Sequence, residues 1–356
     1  MGYQWPLDPA ILFEERSAQM TGGGLDAADV AAVRCATVDM WRDGDGGWVR
    51  EWSRLAERYV ASGRLDLAAL AYGWAKFPSL ADDAKRTALH RQAEVYARMV
   101  ATDPTIEFER QVLDVPFAGT TTPVPVHLLG APGLAADVPV ILVSGGVDTW
   151  KIDLHGTWAA LALATGARVL AFDIPGTGET LVPLSPDSVE VVDGLVAAAR
   201  GLGDGRVFHF GISMGGYFAA ATGLKGTVDG AVVCGGPVGA AFAPEKEWHA
   251  GMADIVGNAA GFDHSPAPAE LSRRLRGMSL RPLLDQDTNA PMLVINGADD
   301  IHVPRADTVV FTGRRDTRVT LIPDSGHCAA SKFGEMAGAV IAWLNARIAE
   351  GNGAGA

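Results

Sequence analysis

Ser213 is the residue in this chain best placed to act as a nucleophile. It lies in Val207-Phe208-His209-Phe210-Gly211-Ile212-Ser213-Met214-Gly215-Gly216, a G-x-S-x-G pattern between an apolar run and a helix-like stretch. A hydroxyl attacks a carbonyl only when it is exposed, held and paired with a base. A sharp strand-to-helix turn gives the exposure, and flanking glycines let backbones pass closely. In a chain with 43 glycines the pattern alone is also that of a serine in an ordinary glycine turn. The partners separate the two readings. The run Met292-Leu293-Val294-Ile295 leads into Asn296-Gly297-Ala298-Asp299-Asp300-Ile301-His302-Val303-Pro304, which places acids after a strand. Leu321-Ile322-Pro323-Asp324-Ser325-Gly326-His327 places a histidine after another. Serine, acid, histidine is the chain order of a triad in which His327 takes the Ser213 proton and the acid holds the imidazole.

Such loops need a rigid frame. From residue 106 onward short apolar, β-rich runs recur: Val138 to Val143, Ala167 to Phe172, Val207 to Phe210, Ala231 to Cys234, Met292 to Ile295 and Val319 to Ile322. Helical spacing fills most of the gaps, and two further runs from Glu107 and Thr122 read as paired edge strands. Buried strands alternating with helices imply an α/β fold with a mostly parallel, doubly wound sheet. The gap from Gly235 to Ala290 exceeds a plain strand–helix–strand link and reads as a helical lid insertion at about residues 237–288. Before residue 106 the grammar is helical, about four helices between Leu25 and Val100. Trp48, Trp52, Leu55 and Tyr59 form one apolar stripe and Leu89, Ala93 and Tyr96 another, and such stripes must cover something. The expectation is that this block packs on the rest of the chain or on a second subunit. The domains are therefore expected at 1–105, a helical cap-like domain; 106–350, the catalytic domain; and 351–356, a flexible tail.

Composition narrows the partners. The chain has 356 residues, 48% of them hydrophobic, and a net charge of −13. An acidic surface repels phosphate backbones and anionic lipid, which argues against nucleic acid and membrane as partners. Three scattered cysteines without a CxxC pair support neither a zinc site nor a disulfide framework. No signal peptide or membrane-spanning run is read, so a cytoplasmic protein is expected. Asp43-Gly44-Asp45-Gly46-Gly47 lacks the ligand spacing of a calcium loop, and Gly176-x-Gly178 lacks the third glycine of a dinucleotide loop. No metal and no cofactor is expected. His127, His209 and His302 have no ligand spacing and read as surface or core residues.

The segments G-I-S-M-G, G-A-D-D-I-H-V-P and S-G-H resemble, in register and order, those of the α/β-hydrolase superfamily. Against that pattern the spacing favours Asp300 over Asp299 as the triad acid. The helical block, Ser144-Gly145-Gly146-Val147-Asp148-Thr149-Trp150-Lys151, Phe172-Asp173-Ile174-Pro175-Gly176, and Gly236-Pro237-Val238 with Phe242 and Trp248 are together similar to the FrsA-like (DUF1100) group. That group takes in fungal polyketide-shortening hydrolases of the yellowish-green pigment type and a pseudooxynicotine carbon–carbon hydrolase. The resemblance implies a serine hydrolase that cuts esters, or activated C–C bonds beside a ketone, in a polyketide-like or aromatic small molecule. It also implies a homodimer whose helical block helps close the site. Its oxyanion hole would use the backbone N–H of Met214 and one from the Gly145-Gly146-Val147 turn, Gly146 or Val147. Asp148 and Lys151 are expected to pair with each other or with solvent. Asp148, Trp150, Trp158, Glu247 and Trp248 are candidates for the substrate pocket. Two other classes stay open: the same fold reused as a lyase, cyclase or acyltransferase with His327–Asp300 acid–base chemistry, and a non-catalytic binding protein.

Overall fold

The computed structural model describes residues 2–353 apart from Glu245 and Ala250. Its contacts divide the chain into two compact units, one running to Asp103 and adding Asp254–Pro266, the other taking Pro104–Ala253 and the chain from Ala267. The expected 1–105 domain thus ends two residues earlier and gains a piece of the expected lid. That gain rests on contacts across the whole sequence: Asn258 Nδ2 donates to the Tyr3 carbonyl at 3.2 Å, and the Tyr3 N–H donates to Asn258 Oδ1 at 3.2 Å.

The first unit contains α1 (Pro9–Gly22), α2 (Ala27–Ala36), α3 (Trp48–Ala61), α4 (Leu65–Lys76) and α5 (Asp83–Val100). The first of these lies before the expected helical block. It buries only Pro9, Leu12, Phe13 and Met20, too sparse a stripe to stand out. Its start was written more plainly than its face: Asp8 caps the Ala10 N–H at 2.8 Å and Pro9 opens the first turn. The α3 stripe is covered from within the unit. Trp48 and Trp52 lie 5.9 Å apart, Phe13 is 4.9 Å from Trp48, and Trp74 is 6.1 Å from Trp52. Aromatic rings at these separations pack favourably on one another. Lys85 is fully buried nearby; its ammonium nitrogen donates to the Phe77 carbonyl at 2.6 Å and stands 5.0 Å from the Trp41 ring.

The second unit is built on one eight-stranded sheet. Its strands are β1 (Glu107–Phe117), β2 (Thr120–Gly130), β3 (Val140–Ser144), β4 (Arg168–Phe172), β5 (Val207–Ile212), β6 (Gly230–Cys234), β7 (Met292–Gly297) and β8 (Thr317–Ile322). The order is β1-β2-β4-β3-β5-β6-β7-β8. The β1–β2 and β2–β4 pairs are antiparallel, and every other pair is parallel. The strands stand where the apolar runs predict them, because a strand covered on both faces has no reason to alternate. The helices of this unit are α6 (His155–Thr165), α7 (Val189–Arg200), α8 (Met214–Lys225), α10 (Pro268–Leu275), α11 (Arg281–Leu284), α12 (Arg305–Val309) and α13 (Phe333–Gly353); α9 (Met252–Ala259) crosses from one unit into the other. The last helix continues through Gly351, where a loose tail was expected; residues 354–356 lie outside the described residues. Among the described residues no helix is long and apolar enough to cross a membrane.

Candidate active site

The carboxyl ends of β5, β7 and β8 carry the three candidate catalytic residues, all within the second unit. Ser213 follows β5 directly and opens α8 with φ 57° and ψ −125°. Positive φ is disfavoured for a residue with a Cβ, and it persists only where the surroundings impose it. Here the Ser213 N–H donates to the Cys234 carbonyl at 2.8 Å, and its own carbonyl accepts from the Gly216 N–H at 2.8 Å. Gly215 lets the turn close, because a Cβ there would collide with the Gly145 carbonyl and Ser144 Oγ.

His327 stands between the other two. Its Nε2 is 2.9 Å from Ser213 Oγ and its Nδ1 is 2.7 Å from Asp300 Oδ2. Asp299 is exposed and makes no such contact. Asp300 also accepts from the His302 and Val303 N–H groups at 2.7 and 3.1 Å and from Asn296 Nδ2 at 2.8 Å. Burial works against its charge, yet His327 and these donors hold its carboxyl below the ordinary range. Burial likewise works against a charged imidazole, while the Asp300 carboxylate works for it. The neighbouring Cys328 thiol is pushed well above its usual range by its bond to Cys234 and by burial; it is neutral at pH 7 and lends no charge.

Asn296 is a residue the sequence reading missed. Its Nδ2 supports Asp300, while its Oδ1 accepts the Gly297 N–H and the Cys328 N–H, each at 2.9 Å. One buried amide thus ties the acid loop to the histidine loop. The available signal was its place at the end of β7, four residues before the acid.

The loop after β3 lies against the nucleophile. A Cβ at Gly146 would stand 3.0 Å from Ser213 Cβ and 3.1 Å from its Oγ. The Gly146 N–H is spent inside the loop on the Thr149 carbonyl at 3.0 Å, so of the two loop amides expected as oxyanion donors it is Val147 that remains. The Val147 and Met214 amides donate to no protein group among the described residues, although both residues are buried. Lys151 does not pair with Asp148. It is buried, and its ammonium lies 2.6 Å from Asp173 and 2.7 Å from Glu179. Asp148 is mostly buried and accepts from Thr149 Oγ1 at 3.2 Å.

The expected pocket residues fall in different places. Trp150 is buried with its indole N–H on the Val147 carbonyl at 3.1 Å. Trp158 belongs to the sheet core, edge-on to Phe210 at 5.6 Å, and is withdrawn as a pocket residue. Glu247 is exposed, and Trp248 is half-buried with Lys246 Nζ 5.8 Å from its ring. Lys246 donates to the His302 carbonyl at 2.7 Å, and the His302 ring stands edge-on to His327 at 5.4 Å. His302 is therefore a neighbour of the site, a role its isolation in sequence concealed. His127 and His209 are buried in the core, where burial lowers them to about 2 and about 3. The insertion leaves β6 through a carboxylate clamp: Asp307 on α12 accepts the N–H groups of Val238, Ala240 and Ala241 at 3.0, 2.6 and 3.0 Å.

The family model described as "alpha/beta hydrolase fold" matches residues 138–274. The chain has the alpha/beta hydrolase fold. Among curated proteins this hydrolase-fold chain is 32% identical over 144 residues to Hydrolase LUC6 of Fusarium sp, covering 35% of the chain and 33% of that protein. It is 25% identical over 194 residues to Esterase FrsA of Photobacterium profundum, covering 46% and 45%. The matches thus span less than half the length of these curated relatives. Two solved structures align almost throughout. AbyA5 has TM-score 0.72 at 25% identity, covering 91% of this chain and 94% of that one. The 2,6-dihydroxy-pseudo-oxynicotine hydrolase has TM-score 0.72 at 20% identity, covering 94% and 95%. The resemblance to the FrsA-like group agrees with these matches, and so does the fold read from the strand–helix alternation.

Proposed function

We propose that this protein is a cofactor-independent serine hydrolase acting on a mid-sized polyketide-like or aromatic small molecule, at an ester or at an activated C–C bond beside a ketone. The observation that carries the reading is His327, within hydrogen-bond reach of both Ser213 and Asp300. Ser213 Oγ attacks the carbonyl carbon as His327 Nε2 takes its proton, and the carbonyl electron pair moves onto oxygen. The Val147 and Met214 amides are the donors for that oxyanion. As the intermediate collapses, the bond to the alcohol or to the enolate carbon breaks, and His327 returns the proton to the leaving group. Water, deprotonated by His327, then releases the acid and restores Ser213. The esterase among the relatives supports the ester reading, and the C–C reading rests on the resemblance to the FrsA-like group. We also infer, from the resemblance alone, that the enzyme is a homodimer; a one-chain mass by light scattering removes that part.

A fluorophosphonate probe tests the nucleophile. The parent should label and Ser213→Ala should not; equal labelling of both removes Ser213 from the mechanism. Short p-nitrophenyl esters beside 1,3-diketones test the bond: fast ester turnover with no diketone cleavage sinks the C–C reading. A second reading draws on the His327–Asp300 pair. An imidazole oriented by a carboxylate also suits acid–base work in a lyase, cyclase or acyltransferase. Turnover in H₂¹⁸O separates the two, since hydrolysis puts the label into the product.

A further inference from the structure

We propose that Lys151 is a positioning residue for the oxyanion hole: it clamps the loop after β3 to the end of β4 so that the Val147 amide is fixed beside Ser213. The inference rests on the serine-hydrolase reading above and goes one step beyond it.

The clamp is double. The Lys151 main-chain N–H donates to Asp173 Oδ1 at 2.8 Å, and its ammonium donates to Asp173 Oδ2 at 2.6 Å. One carboxylate therefore holds both the backbone and the side chain of one residue. Glu179 completes the cage. Its Oε2 is 2.7 Å from the ammonium, its N–H donates to Asp173 Oδ2 at 3.0 Å, and its Oε1 meets Arg110 at 2.7 Å. Two cations face two anions, and the Lys151 and Asp173 side chains are 1% and 2% exposed. Lys151 has no route to a substrate from there.

The loop ahead of the clamp is tied at successive points. The Gly146 N–H closes onto the Thr149 carbonyl, the Trp150 indole N–H holds the Val147 carbonyl at 3.1 Å, and the Trp150 N–H donates to Asp153 Oδ2 at 2.8 Å. Holding the Val147 carbonyl fixes one edge of its peptide, and the peptide before it begins at Gly146, which lies against Ser213. The Val147 N–H is left as a donor without a protein acceptor among the described residues. A buried ion pair is a weak source of stability, because desolvation offsets most of its attraction. Its use here is geometric: a donor displaced by about 1 Å forfeits much of its effect on the transition state.

The test follows Ser213 phosphonylation by a fluorophosphonate, whose P–O oxygen mimics the oxyanion, and p-nitrophenyl acetate turnover. Trp150→Phe keeps the ring and removes the bond to Val147; labelling rate and kcat should each fall about 10-fold with KM within about twofold. Lys151→Met combined with Asp173→Asn and Glu179→Gln removes the charges together, so that no buried charge is stranded; kcat should fall about 100-fold. If Trp150→Phe labels and turns over at the parent rate, the inference is overturned, whether or not the triple variant folds. A folded triple variant with parent kcat overturns it as well, as does a rise in KM alone. Ser213→Ala keeps the outcomes apart: if it still turns over, the serine reading has failed; if it is dead while the loop variants match the parent, only this inference has failed.

Discussion

Lys85 and Lys151 are both buried, one in each unit, and they end in opposite states. Lys85 among the helices has a carbonyl and an indole face for company. Burial pulls it down to about 7, Lys76 adds to the fall, and Asp82 resists it. Lys151 behind the loop after β3 is desolvated just as fully, yet Asp173 and Glu179 outweigh burial and hold it above the ordinary lysine range. The histidines repeat the contrast: His209, next to Thr222, falls to about 3 through burial, while at His327 the Asp300 carboxylate works against burial. Burial sets how much a charge is worth, and the presence of a carboxylate sets its sign. One unit is held by rings; at its catalytic end the other is held by paired charges and directed donors.

The largest expected effect comes from removing the carboxylate at the triad. Asp300→Asn should lower kcat by about 10⁴-fold through the wrong imidazole tautomer, with the fold intact by circular dichroism. Because His327 must be neutral before it can serve as base, kcat/KM of the parent should climb as pH rises through its titration. The residual activity of Asp300→Asn should lose that climb, its limb moving to lower pH. A parent profile flat from pH 6 to 9 breaks the comparison. In the helical unit the equivalent blow is to a ring. Trp52→Ala should cost about 3–5 kcal/mol in urea unfolding, because Phe13, Trp48 and Trp74 cannot close the cavity.

Lys85 gives a smaller and more diagnostic signal. Between pH 7 and about 10.4 the unfolded chain binds a proton at this site that the folded chain does not, so parent stability should rise across that window. Lys85→Met should flatten the rise. Lys151 acts in the other direction, since its contribution is present at neutral pH and lost only as pH rises above the ordinary lysine value. Smallest of all, Asn296→Ala should lower kcat about 10-fold, the equivalent of one lost hydrogen-bond set between the Asp300 and His327 loops. An unchanged kcat would show that the two loops hold their spacing without it.

Residues whose chemistry demands a local backbone were legible in the sequence. Ser213 announces itself because an elbow needs glycines around it, and the strands announce themselves because doubly covered strands are continuously apolar. Asp300 and His327 were legible by their place after strands, and it is Asp300, not Asp299, that lies 2.7 Å from His327. What stayed hidden depends on partners far along the chain. Nothing near Lys151 names Asp173 or Glu179, nothing near Asn258 names Tyr3, and Asn296 looks like any strand-end amide. The tryptophan stripe was legible as buried, but periodicity gives the direction of a face and not what lies against it, here Phe13 and Trp74. His302 was passed over for the same reason: its ring contact with His327 exists only once the acid loop has folded.

The Asp307 clamp bears on how this enzyme can change. By taking three amides from the start of the insertion, it fixes the point at which that segment leaves β6. Everything up to Ala241 is anchored to the helix that follows the acid loop, and the stretch beyond it is not held by that carboxylate. Substitutions placed after Ala243 that spare Lys246, whose ammonium donates to the His302 carbonyl beside Asp300, can therefore rewrite the segment without shifting the elbow or the triad. A library confined to positions 244–253 with Lys246 kept should yield many folded members that still react with a fluorophosphonate, and the same diversity placed at 237–241 should yield few. New substrate preferences would then arise in a stretch whose failures leave the chemistry unharmed, which is a low-risk place for selection to experiment.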